Sequence, residues 1–152
     1  MSEAEVSPAA VQQLKIISFA MGGGLTMMAG LVLVSYFNAE AKIPTVEAVR
    51  LINTLTFVAM GAALAAIIVS EVAWRSLRSK SLHPAFIVRL ALREGGALLG
   101  MTVAYIAALN GVLRAYPAYW VDLAPFALFL GFLATHWPSA KTLTAEARGV
   151  VP

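Results

Sequence analysis

Four apolar stretches, each about as long as a membrane span, divide this chain of 152 residues and leave little between them. A helix rises about 1.5 Å per residue, so about 20 apolar residues cross a hydrocarbon core roughly 30 Å thick. Inside lipid every backbone N–H and C=O must find its partner within the protein, which makes spans of this length helical. The pattern predicts helices over 13–36, 46–74, 84–109 and 120–137. The expected fold is all-α: a single transmembrane domain over 1–152, arranged as a membrane-embedded four-helix bundle. Hydrophobic residues make up 60% of the chain and charged residues 12%, against about 45–50% and about 25% in soluble domains. Mean hydropathy is +0.80. These values exclude a soluble globular domain, a disordered chain and a coiled coil.

Local signals mark the ends. Thr45, after Pro44, is a natural N-cap for the second helix, with Glu47 in its first turn. Pro84 suits the start of the third helix and Asn110-Gly111 its end. Pro125 is tolerated in the first turn of the fourth, and Pro138 closes it. That helix is short, so residues 117–120 are expected to extend it to the interface. The apolar stretch 16–36 is too long for a secretory signal core and follows an acidic, polar start, so it reads as a retained span.

Lys and Arg orient the spans. Arg75, Arg78 and Lys80 form a basic turn between the second and third helices. With four spans both termini share its side, which then carries Lys15, Arg75, Arg78, Lys80, Arg89, Arg93, Lys141 and Arg148. The opposite side carries Lys42, Arg50 and Arg114. That asymmetry puts both termini in the cytoplasm, N-in and C-in. Tyr36, Phe37, Trp74, Tyr116, Tyr119, Trp120 and Trp137 fall at the predicted ends, as an interfacial aromatic belt would. The pI of about 9.5 is explained by the basic turn, which suits anionic headgroups and not nucleic acid.

Little of the chain carries chemistry. There is no Cys, so disulfides, thiolate metal sites and iron–sulfur clusters are excluded. His83 and His136 flank the spans beside prolines and read as interfacial residues, not metal or haem ligands. No nucleophile elbow, zinc-helix motif, phosphate loop or dinucleotide fingerprint is present, and nothing points to an enzyme. The informative polar groups are few. Arg89 and Arg93 are four apart and share a helix face. Glu94 lies about 100° round from Arg93 and ten residues beyond Pro84, about 15 Å along a helix. An ionisable side chain at that depth is costly and is read as functional by default. Glu94 is therefore the candidate ion, proton or partner site, with Arg89, Arg93 and Glu71 beside it. The simpler alternative makes Glu94 an anchor paired with Arg93 or Arg89, within a small ion-pair network that includes Glu71. Ser70, Asn53, Thr54 and Thr56 are further polar groups within the second span. Asp122 is expected to cap a helix at the outer surface.

Small residues recur at helical spacing: Gly22, Thr26 and Gly30 in the first helix, Gly61 and Ala65 in the second, Gly96 and Gly100 in the third, Ala127 and Gly131 in the fourth. In lipid such residues let helices approach closely. Gly22, Gly30, Gly61, Gly96, Gly100 and Gly131 are the expected packing positions, within the chain or against a partner's helices.

The segment Ile87-Val-Arg89-Leu-Ala-Leu-Arg93-Glu94-Gly95-Gly96-Ala97-Leu, with Trp137-Pro138-Ser139-Ala-Lys141 after the last helix, resembles a family of small four-span bacterial membrane proteins of uncharacterised function. The likeness covers roughly residues 84–146. It implies the four-span architecture and a bacterial inner membrane, and no activity. Residues 91–98 are also weakly similar to the stretch around the ion-carrying carboxylate of rotary ATP synthase c subunits. Glu94 lies too near Pro84 for that role, Arg93 would hold a counter-charge beside it, and the second helix separates the glycine-rich first helix from the third.

Three functions follow as expectations. The first is a non-catalytic accessory or structural subunit of a larger membrane complex. The second is an ion- or proton-handling protein using Glu94. The third is a subunit of a quinone-linked or pigment complex whose cofactors are held by partners. The expected partners are the lipid bilayer and other membrane subunits, or further copies of the chain.

Overall fold

The computed structural model describes residues 7–39 and 43–147. Among them every regular element is helical: α1 Pro8–Asn38, α2 Val46–Leu77, α3 Leu82–Leu109, α4 Val112–Ala115, a 3-10 segment Pro117–Leu123, α5 Ala124–Thr135 and α6 Ala140–Ala147. Three stretches are long and apolar enough to cross a membrane: Pro8–Asn38, Val46–Leu77 and Pro117–Thr135. The chain therefore has the build of a small membrane protein. α3, which carries Arg89, Arg93 and Glu94 in its first half, is not among the three. Lys42 and Arg148, used above to weigh the loops and termini, lie outside the described residues.

The ends follow from local chemistry. Ser7 accepts a hydrogen bond from the Ala10 N–H at 3.2 Å, and Pro8 takes the first helical position, where a missing N–H costs nothing. α1 therefore starts five residues before the expected Gln13. Thr45 caps α2 in the same way through the Ala48 N–H, also at 3.2 Å. α2 runs to Leu77, three residues beyond the expected Trp74. α3 ends where expected, since Gly111 takes a left-handed φ of 71° that residues with a Cβ disfavour.

The fourth span departs most from expectation. One helix over 120–137 is replaced by a 3-10 segment and a twelve-residue α5. Pro125 has no N–H to offer the Val121 carbonyl, and the Ala124 N–H bonds to that carbonyl instead, in the tighter 3-10 register. α5 stops at Thr135, ahead of Trp137-Pro138. A further short helix, α6, follows. Ser139 accepts from the Thr142 N–H at 3.0 Å, and Leu143 is fully buried in the core.

α3 holds the centre. It packs against α1, α2, α5, the 3-10 segment and α4, whereas α1 and α2 scarcely touch each other. The core falls into two regions along it. Phe86, Leu90, Ala97 and Met101 meet Leu25, Trp74, Phe129 and Phe132 in one. Ala104, Ala107 and Val112 meet Val32, Ile52 and Ala59 in the other. The outward faces of α1 and α2 are apolar and uncovered, with Phe19, Met27, Phe57 and Ile68 all more than half exposed.

The glycines divide on this frame. A methyl group on Gly96 would lie 3.0 Å from the Ala63 Cα and 3.3 Å from its Cβ. One on Gly100 would run into the Asp122 carbonyl oxygen and meet the Pro125 ring at 3.3 Å, and one on Gly22 would meet Leu133 at 3.1 Å. These three are points of close approach. At Gly30, Gly61 and Gly131 the same methyl meets nothing within 4 Å. The expectation of packing at those three positions is corrected as far as this chain's own helices go.

Candidate functional site

The polar groups of the helix layer gather in two places. The first joins α2, α3 and α5. Ser70, Glu71 and Trp74 are spaced to share the α2 face that meets α3, and Arg89 and Arg93 stand one turn apart on α3. Arg89 donates to Glu71 Oε1 through Nε at 2.9 Å and approaches the same oxygen through Nη2 at 2.7 Å. Arg93 reaches it through Nη2 at 2.6 Å, and its Nε donates to Ser70 Oγ at 3.1 Å. The guanidiniums also lie over aromatic rings. Arg89 Cζ is 5.1 Å from the Trp74 ring centre and 4.8 Å from that of Phe132, and Arg93 Cζ is 4.1 Å from Phe132. His136 stacks on the same Phe132 ring at 4.5 Å. Arg89 is only 6% exposed.

Of the four residues expected there, the structure brings together Glu71, Arg89 and Arg93 and leaves Glu94 apart. Glu94 makes no ion pair or hydrogen bond among the described residues. It is half-buried on a face it shares with the exposed Ala91, Gly95 and Leu98. The idea that Glu94 anchors the arginines is corrected: Glu71, reaching across from α2, does so. Adjacent helical residues point about 100° apart, so a carboxylate one position from Arg93 is badly placed to pair with it.

The cluster is chemically a clamp. Guanidiniums stay protonated in proteins, so neither arginine can exchange a proton with Glu71. The ion pairs run from α2 to α3, so the three residues hold the two helices together, with the Phe132 ring tying in α5. From sequence Trp74 reads as a belt aromatic, and nothing singles out Phe132. The available signal was Ser70, Glu71 and Trp74 on one face opposite a four-residue pair of arginines.

The second place is where the 3-10 segment meets α2 and α3. Asp122, expected as a surface cap, has no exposed area at all. Its Oδ2 accepts from Thr56 Oγ1 at 3.0 Å, and its Oδ1 is buried without a hydrogen-bond partner. The segment turns inward because Pro117 and Pro125 bracket it and because Gly100 leaves room for the Asp122 backbone. Asn53 and Thr54 stay exposed, Thr54 bonding back to the Arg50 carbonyl at 3.1 Å. Near the α1 C-terminus, Arg114 donates to the Ala39 carbonyl at 2.8 Å and lies over the Tyr36 ring.

Ser18 Oγ and His83 Nε2 are also buried without hydrogen-bond partners, and no three metal-ligating side chains converge among the described residues. A wide apolar groove of about 620 Å³ runs between α1 and α5, lined by Gly22, Gly23, Thr26, Leu130, Ala134 and Trp137 among others. No family model, curated protein or solved structure matches this chain.

Proposed function

We propose that the chain is a non-catalytic subunit of a larger membrane assembly. In this reading it is a four-span bundle in a bacterial inner membrane, with both termini and the 78–81 turn in the cytoplasm. The observation that carries the reading is the set of small residues the chain does not use itself. Gly23, Gly24, Gly30, Gly61 and Gly131 have no neighbour that a methyl group would touch. In lipid, helices associate through such residues, and no hydrophobic force does the work for them. Glu94, unbonded and beside the exposed Gly95, adds a carboxylate that a partner's basic group would satisfy.

The test is purification in mild detergent through a C-terminal tag, with mass spectrometry and an absorption spectrum on the same peak. A defined set of other membrane proteins supports the reading. Their loss on Gly30→Leu or Gly131→Leu, with the melting temperature of the chain unchanged, assigns the contact to those faces. A haem or pigment band in the complex gives the cofactor to a partner. A lone, colourless protein overturns the accessory reading.

A further inference from the structure

We propose that Asp122 is a proton-binding site inside the membrane layer, its carboxyl held as the neutral acid with Thr56 donating to one oxygen. The proposal rests on the membrane-spanning reading and extends it to a ligand.

Depth comes first. Thr56, bonded to Asp122, lies about 8 Å along α2 from that helix's midpoint, at about 1.5 Å per residue. Gly100, against which the Asp122 backbone rests, lies about 7 Å from the midpoint of α3 on the same scale. Both distances fall inside the half-thickness of a hydrocarbon core roughly 30 Å deep. The backbone there is 3-10 and enclosed by α2, α3, α4 and α5, and irregular backbone at membrane depth is tolerated when protein surrounds it.

The chemistry of the site then selects the ligand. An ionised carboxylate wants several donors, and this one has a single hydroxyl. The packed elements bring no counter-charge. On α2, Arg50 is exposed six residues outward of Thr56, and Glu71 is taken by two arginines. On α3, Arg93 is bonded to Ser70 and Glu71, Glu94 is on the outward face, and Tyr105 makes no bond to Asp122. α4 offers Arg114, bonded to the Ala39 carbonyl. α5 has no titratable group, and the segment itself adds Tyr119. A charge left so in a dry site is far costlier than a neutral acid with one hydrogen bond. A sodium or potassium ion would want a shell of oxygens, and the side chains here supply only the carboxylate and the Thr56 hydroxyl. With Asp122 wholly buried, an outside amine cannot reach it. The proton is the cation that fits.

Asp122 is the chain's one aspartate, so selective labelling reads it alone. The full chain, carrying carboxyl-labelled ¹³C aspartate, is placed in phosphatidylcholine–phosphatidylglycerol vesicles. Its carboxyl resonance is recorded at pH 5, where an ordinary aspartate is roughly nine-tenths ionised. The expected result is the carboxylic-acid shift, moved by Thr56→Val. A carboxylate shift at that pH overturns the proposal. Flotation of the protein with the vesicles tests the membrane reading separately, so the two fail by different measurements.

Discussion

Gly96 on α3 and Ala63 on α2 meet so closely that a methyl group added to Gly96 would stand 3.0 Å from the Ala63 backbone. The obstacle is a Cα atom, which cannot swing aside as a side-chain tip can. Gly96→Ala should therefore destabilise the protein by about 1–3 kcal/mol, the usual cost of overpacking. Gly61→Ala, on the open face of α2, should be neutral or stabilising by up to about 1 kcal/mol through helix propensity. Thermal melting in mild detergent separates the two, and equal losses would show that the α2–α3 contact is looser than described.

Glu71 bonds both Arg89 and Arg93, so its removal breaks both contacts across α2 and α3, whereas removal of either arginine breaks one. Breaking a fully buried pair costs about 3–5 kcal/mol. The Glu71 side chain is 34% exposed, and water offsets part of that, which leaves about 2–3 kcal/mol for Glu71→Gln. Adding Arg89→Gln should cost less than the sum of the two single changes. A double-mutant cycle with no coupling would show the clamp to be a geometric coincidence.

The absence of cysteine makes orientation measurable with single introduced thiols. Ser79→Cys, in the basic turn, should react with an impermeant maleimide only from the cytoplasmic side. Ala118→Cys, exposed in the 3-10 segment, should react only from the opposite side. Labelling of both from one side would exclude the N-in, C-in arrangement.

α6 depends on one cap and one buried side chain. Ser139→Ala removes the acceptor of the Thr142 N–H, a loss of about 0.5–2 kcal/mol for a helix start. Protease cleavage after Lys141 should quicken in this variant while the melting of the longer helices stays put. If cleavage is unchanged, burial of Leu143 alone holds the helix.

What the sequence revealed depended on range. Capping is local, so Thr45 and Asn110-Gly111 could be read directly. The spacing of Gly96 and Gly100 marked a close approach, but spacing cannot say which small residue meets a neighbour. Gly30, Gly61 and Gly131 carry the same signature and face outward. Glu94 stands out in sequence by its depth beyond Pro84, whereas pairing is decided across helices, and Glu71 lies on the helix that α3 meets. Asp122, three residues before Pro125, reads as a cap. Its burial depends on two prolines bending a 3-10 turn toward a glycine on another helix, a relation with no local trace.

Because α1 and α2 meet chiefly through α3, the first two spans to leave the ribosome have almost nothing to hold each other with. They stay separate rods until α3 packs between them. Truncation after residue 80 should then leave two independent helices, and the commitment to a native structure falls on the synthesis of one central segment.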